Sequence, residues 1–506
     1  MVPATECSGQ LIPRLPGWLV ETVVFVAAAA VLVLEIVGLR LVAPYVGLSL
    51  QTSTAVIGTA LAAIAFGAWT GGRVADGRDA ADLLGTVLLL GAALAMLTLP
   101  VVRFVGQVVA GRPESELVLL LALVAVFPPA ALLSAVTPMV ATLHLTDLEH
   151  TGAVVGRLSG IGTLGAIAAT FLTGFVLVPA LSISTILIGT GLVLSGAGIA
   201  VLRFRRGRRW FARRPAALIV LPLVPLAAAL APTPCQVETE YHCIRVETDP
   251  ARRTGRVLWM DTLRHSYVDL ADPRYLEFSY IKAMAAVVDV VRPAGRPVTG
   301  LYVGGGGLTL PRYVAATRAG SRATVLEIDP GVLQVGRDRL GVSAIDGLTL
   351  QVGDGRLGLA RARSGSVDLV VGDAFGGLTV PWHLATREAA AQVSRVLRED
   401  GVYAMNVIDY PPGLLVRSEL ATLRAEFGQV ALLATPATLT GAPGGGGNHV
   451  LLASRSALPL DRIAGRLAQL EPGWSLADPA AAARFAGRSR PLTDDHAPAD
   501  QLISRP

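Results

Sequence analysis

The sequence predicts two unlike parts. A multi-pass, all-α membrane bundle comes first. An α/β domain with a mostly parallel, doubly wound sheet follows, preceded by a small antiparallel β-sheet. Three observations carry this reading. Of 506 residues, 52% are hydrophobic and only 16% charged, against about 25% charged in an ordinary soluble protein. The apolar residues are concentrated between Trp18 and Pro232, and the composition turns enzyme-like from Cys235 onward. Beyond Pro297, short apolar runs alternate with helical stretches, as strands joined by crossover helices do. A fully soluble chain and extensive disorder are both disfavoured. The expected domains are residues 1–234, 235–292 and 293–506.

Apolar runs long enough to span a bilayer, about 20 residues, are Trp18–Val42, Thr54–Val74, Leu83–Val105, Leu117–Leu143, Ala153–Val178 and Leu181–Leu202. A shorter run, Ala216–Pro232, carries Pro222 and Pro225; it is either a seventh crossing or a re-entrant segment. The first run is too long, and lacks the small-residue cleavage site, for a removed signal peptide. Arginines set the orientation. Arg14, Arg73, Arg78, Arg157 and the group Arg203, Arg205, Arg206, Arg208, Arg209, Arg213 and Arg214 fall at one side, whereas Arg103 and Arg112 mark the opposite loop. The positive-inside rule then places the N-terminus in the cytoplasm and, if the seventh run crosses, the C-terminal half outside it.

Two of the three cysteines, Cys235 and Cys243, stand just past the seventh run. They could close a hairpin as a disulfide, which persists in oxidising compartments, or remain two thiols. Their spacing excludes a CxxC metal or redox motif. Glu35 and Arg40 are ionisable residues within the first run. Charges at membrane depth are often functional, although an interhelical pair or an arginine reaching the headgroups explains them as well. The net charge of +5 gives no argument for nucleic acid, because arginines flanking spans meet lipid headgroups.

Ile244–Leu270 alternates apolar and polar residues around a turn at Asp249–Gly255, which predicts the small antiparallel sheet. Tyr275–Val291 has helical spacing. Strands are then expected at Val298–Val303, Ala323–Ile328, Leu348–Val352, Val367–Gly372 and Gly401–Val407, with helices reaching Ala316 and over Gly331–Leu340 and Thr386–Leu397. Open α/β sheets bind ligands at the carboxyl ends of their strands, and polar or flexible residues stand at four such ends. Gly304, Gly305 and Gly306 follow the first strand and allow close backbone approach, although the run is not a strict G-x-G-x-x-G. Glu327 ends the second strand and could hold ribose hydroxyls; Asp329, before Pro330, suits a helix cap instead. Asp354-Gly355 follows the third strand, where a carboxylate could take an adenine amine or simply close a turn. Asp373 follows the fourth, placed to remove a proton from a nucleophile.

Taken together, GGGG, LEIDP, GDGR, VDLVVGDAFGG and LATREA resemble the spermidine synthase (polyamine aminopropyltransferase) family over roughly residues 244–455. With the membrane half, and with LEIVGLRLVAPYVG and LTDDHAPADQL, the chain resembles the fused membrane-domain/spermidine-synthase-like group. The resemblance implies a methyltransferase-type Rossmann domain behind a β-hairpin sheet. It also implies transfer of an aminopropyl group from decarboxylated S-adenosylmethionine, as co-substrate, to an amine such as putrescine, giving spermidine. Glu327 would hold the ribose, Asp354 and Gly355 the adenine, and Asp373 would be the catalytic base. His265 and Tyr280 would contact the amine. No metal is implied.

Departures from the family are equally specific. Gly307 replaces an amine-binding aspartate, Tyr280-Ile281-Lys282 replaces Tyr-His-Glu and brings a cation near, and the second aspartate of the family's DSSDP loop is missing from Asp373–Gly377. Three functions follow: a membrane-anchored aminopropyltransferase, a nucleoside-dependent transferase or methyltransferase with a different acceptor, or a non-catalytic transporter or sensor. Expected partners are the lipid bilayer and a small amine, with a homodimer as a candidate assembly.

Overall fold

In a computed structural model the chain is described over residues 15–47, 49–77, 80–109, 115–144, 151–206, 215–442 and 444–504. Arg14, Arg78, Arg112, Arg208, Arg209, Arg213 and Arg214 lie outside the described residues. The chain forms two compact units, Met1–Pro234 and Cys235–Pro506. The division falls where the composition changes.

Among the described residues, the first unit has six helices long and apolar enough to cross a membrane: Gly17–Val46, Leu50–Asp76, Leu83–Val109, Glu116–Leu143, Thr151–Ala180 and Ile183–Arg205. Most extend a few residues beyond the apolar runs predicted. A further helix, Pro215–Leu230, has 16 residues, about 24 Å at 1.5 Å per residue, somewhat less than a 30 Å hydrocarbon core. Lipid tails are as apolar as leucine, so close backbone approach drives helix association in a bilayer. A Cβ on Gly67 would lie 2.0 Å from the Ala131 carbonyl oxygen, and one on Gly165 would lie 2.4 Å from that of Phe25. Those glycines seat Leu50–Asp76 on Glu116–Leu143, and Thr151–Ala180 on Gly17–Val46. Among the described residues Arg103 is enclosed, 4% exposed; it donates from Nη1 to the Ala231 carbonyl at 2.6 Å and from Nη2 to Ser184 Oγ at 2.7 Å.

The second unit opens with a four-stranded antiparallel sheet, β1 (Val237–Glu238), β2 (Cys243–Thr248), β3 (Gly255–Met260) and β4 (Leu263–Asp269), in that spatial order. After the helix Ser279–Val291 come β5 (Thr299–Val303), β6 (Arg322–Glu327), β7 (Leu348–Val352), β8 (Val367–Gly372), β9 (Leu397–Asp409), β10 (Gln429–Ala434), β11 (Gly447–Ser454) and β12 (Ser475–Ala477). They build one sheet of order β12-β10-β11-β9-β8-β5-β6-β7. From β7 to β9 the pairs are parallel. β11 enters antiparallel between β9 and β10, and β12 pairs antiparallel with β10. This is the Rossmann, methyltransferase-like order.

Side chains alternate across a strand, so the sheet has a core on each face. Tyr302, Leu369, Val371 and Leu433 pack under Ser279–Val291 and Leu460–Leu470, while Leu301, Val303, Val370 and Leu432 pack under Arg387–Val396 and Leu414–Arg424. A smaller core joins the antiparallel sheet to the helix Pro330–Arg339 through Ile244, Leu258, Val268, Val332 and Val335. The small sheet therefore shares one compact unit with the α/β domain.

Candidate active site

The strand order reverses direction at β5 and β8, and a crevice opens at such a switch point. A cavity of about 660 Å³ lies there, reaching from the small sheet to the loop before β11. Gly304, Gly305, Gly306, Glu327, Asp354, Gly355, Asp373, His265 and Tyr280 all line it, so the structure brings these nine expected residues around one space, while Cys235 and Cys243 lie outside its lining.

Gly304 has φ +96°, and a Cβ there would lie 2.4 Å from the Asp373 carbonyl oxygen. Only glycine lets the end of β5 come so close to the end of β8. Glu327, 8% exposed, accepts the Gly305 N–H at Oε2 (2.8 Å) and the Asp329 N–H at Oε1 (2.9 Å). Each carboxylate oxygen accepts more than one bond, which leaves capacity toward the cavity. Asp329 caps the helix Pro330–Arg339 through the Gly331 N–H, as its place before proline requires. Asp354 is likewise a helix cap: Oδ1 accepts the Leu357 N–H at 2.9 Å, while Oδ2 faces His383 Nε2 at 2.9 Å.

Asp373 is partly exposed and opens on the cavity. Asn406 Nδ2 donates to its Oδ1 at 2.8 Å, and the Tyr280 hydroxyl to its Oδ2 at 3.2 Å. Asn448 in turn donates to Asn406 Oδ1 at 3.1 Å, which fixes the Asn406 amide with its NH₂ toward Asp373. Burial pushes the Asp373 carboxyl up to about 6, against the two donors that pull it down. Burial and the Asp373 charge push the Tyr280 phenol well above its usual range. His265 is held neutral: burial pulls it down to about 4, His242 adds to this, and Asp261 opposes it. Asp373 is therefore a carboxylate near neutrality, poised to take up a proton, beside a phenol that keeps its own.

The departures from the family pattern also have structural outcomes. Lys282 brings no cation into the cavity; it pairs with Glu471 at 3.2 Å. At Gly307 a Cβ would lie 2.7 Å from Ser266 Cβ, and the Gly307 N–H donates to Ser266 Oγ at 2.8 Å, so β4 occupies the space of a larger residue. Asn406, Asn448, His383, His242 and Glu277 are among the lining residues that were not foreseen. The first two sit on β9 and β11, where an asparagine inside an apolar strand (YAMNV, GNHVLL) is the signal that could have found them. Among the described residues, no cluster of three or more His, Cys, Asp or Glu side chains could hold a metal.

These features define a candidate ligand site on a Rossmann, methyltransferase-like unit. No family model matches the chain. Among curated proteins, the polyamine aminopropyltransferase of Vibrio vulnificus is 28% identical over 195 residues, covering 38% of this chain and 61% of that protein. The chain thus matches about three fifths of that relative's length. By sequence, then, part of this chain is similar to a polyamine aminopropyltransferase. A probable spermidine synthase from Corynebacterium glutamicum aligns at 25% identity and TM-score 0.48, over 52% of this chain and 97% of that one. The spermidine synthase of Thermotoga maritima aligns at 19% identity and TM-score 0.35, over 52% and 81%.

Proposed function

We propose that the chain is a membrane-bound aminopropyltransferase, moving the aminopropyl group of decarboxylated S-adenosylmethionine to an amine of the polyamine class, such as putrescine. The observation that carries this reading is Asp373, a raised carboxyl fixed by Asn406 and Tyr280 at the switch point and facing the cavity. Glu327 would hold the ribose hydroxyls, and Asp354 with Gly355 the adenine, with His383 orienting the Asp354 carboxylate. His265 and Tyr280 would border the amine. An acceptor ammonium gives its proton to Asp373. The nitrogen lone pair then attacks the aminopropyl carbon, the carbon–sulfur bond breaks, and its electrons return to sulfur, which leaves as the neutral thioether methylthioadenosine. A sulfonium is already a good leaving group, so positioning supplies much of the rate.

The test is to incubate the purified full chain with labelled decarboxylated S-adenosylmethionine and a panel of amines. Methylthioadenosine release is expected, with a loss of about 10²–10⁴-fold in Asp373→Asn. No release from the wild-type protein, or equal release from the variant, overturns the reading.

The side of the membrane belongs to the same proposal. Arg103 lies near the end of its helix and bonds both Ser184, at the start of Ile183–Arg205, and Ala231, past the end of Pro215–Leu230. These three ends therefore share one face of the bundle, which supports a seventh crossing. The arginine distribution in the sequence supports an extracytoplasmic reading of that face, and a Cys235–Cys243 disulfide suits such a compartment.

A further inference from the structure

Cys235 and Cys243 are joined in a disulfide that closes a short loop at the start of the second unit. Thr239 sits at the tip of that loop. Its hydroxyl accepts the backbone N–H groups of His242 (2.8 Å) and Tyr241 (3.2 Å), and donates to Asp329 Oδ2. Asp329 is fully buried. Its own N–H donates to Glu327 Oε1 at 2.9 Å, and Glu327 Oε2 accepts from Gly305 at 2.8 Å. A continuous hydrogen-bonded path thus runs from the loop tip to the carboxylate at the cavity wall. Packing reinforces it: a Cβ on Gly331 would lie 2.2 Å from Thr239 Cγ2, so the loop rests on the first turn of the helix that Asp329 caps. At the other end of the loop, Asp261 accepts the Cys243 N–H at Oδ1 (3.1 Å) and faces His242 Nδ1 at Oδ2 (3.0 Å), and His242 lines the cavity.

We propose that the disulfide-closed loop is a positioning element of the nucleoside site: Thr239 fixes Asp329, and through it the Glu327 carboxylate, so the ribose is held fully only while Cys235–Cys243 is closed. This rests on the nucleoside reading of Glu327 given above. A buried carboxylate that loses a donor must find another, and the Asp329 backbone that serves Glu327 shifts with it. Opening the disulfide returns conformational freedom to the loop and takes Thr239 from its place. Outer hydrogen-bond partners of this kind commonly change ligand affinity by about 10–100-fold at metal sites, and the same logic applies to a ribose-binding carboxylate.

The experiment is calorimetry of methylthioadenosine binding to the full chain in detergent. Thr239→Val is expected to bind roughly tenfold more weakly, about 1.4 kcal/mol, and Thr239→Ser to bind as wild type. Dithiothreitol should weaken the wild-type protein by a similar factor. Two electrons and two protons pass from the dithiol to the S–S bond, giving two cysteine thiols and the cyclic disulfide of the reagent. The double variant Cys235→Ser/Cys243→Ser should bind weakly with or without reductant. In turnover, the KM for the nucleoside donor should rise in Thr239→Val while the KM for the amine stays unchanged. Wild-type affinity in Thr239→Val, or in reduced protein with both thiols titrated, overturns the proposal while leaving the nucleoside site intact. A parallel rise in both KM values overturns it in favour of a merely structural loop. Absence of binding to the oxidised wild-type protein overturns the nucleoside reading itself, and this inference with it.

Discussion

At the residue scale the proposed chemistry rests on a line of three side chains, Asn448, Asn406 and Asp373. A base works when deprotonated, so with the Asp373 carboxyl at about 6 the rate should be steady above that pH and fall as pH drops through it. A proposed acceptor ammonium, like lysine near 10.4, titrates far higher, so the acid limb of kcat/KM is expected to report Asp373. Removing the amide donor in Asn406→Ala takes away an interaction that lowers this value. The acid limb should then move up by about one pH unit, since the loss of one hydrogen bond to a charged group is worth roughly that. A pH–rate profile of wild type and variant checks it, and an unmoved limb would show that Asn406 does not tune the base.

At the element scale the sheet edge is built by close approach. Gly304→Ala would place a methyl group 2.4 Å from the Asp373 carbonyl at φ +96°. It should destabilise the second unit by about 1–3 kcal/mol and displace the strand end that carries Asp373, read as a lower melting temperature together with loss of any turnover. Much of this edge was legible in the sequence. Each of β5 to β8 is a short apolar run ending in or followed by glycine or acid, so Gly304, Glu327, Asp354 and Asp373 fall at strand ends that line one cavity. The antiparallel end was less so. Val430–Ala434 and Val450–Ala453 are uniformly apolar because both faces are buried, which hides the alternation that marks a strand. The order that puts β11 between β9 and β10 is a long-range pairing that no local pattern records, and with it went Asn448. Nor does the sequence show that Lys282 leaves the cavity for Glu471, since one residue's turn on the helix Ser279–Val291 decides which way it faces. Asp354 was legible as a ligand or a turn; the structure shows it capping a helix and meeting His383.

At the scale of the whole molecule, the second unit is proposed to lie on the extracytoplasmic side of the membrane. A reporter enzyme active only outside the cytoplasm, fused after Gly255, should be active, and one active only in the cytoplasm should be silent. The opposite pair of results would put the soluble unit inside and remove the seventh crossing. Arg103 has a consequence for how such a bundle is made. Its two hydrogen-bond partners lie 81 and 128 residues later in the chain. While the third long helix enters the bilayer, neither exists yet, and its guanidinium must keep to water or headgroups at the membrane surface. The bundle can close over that charge only after the helix Pro215–Leu230 has been synthesised. Assembly of the membrane half is thus completed by its last helix, just as the cysteine-bearing loop of the soluble half begins to emerge.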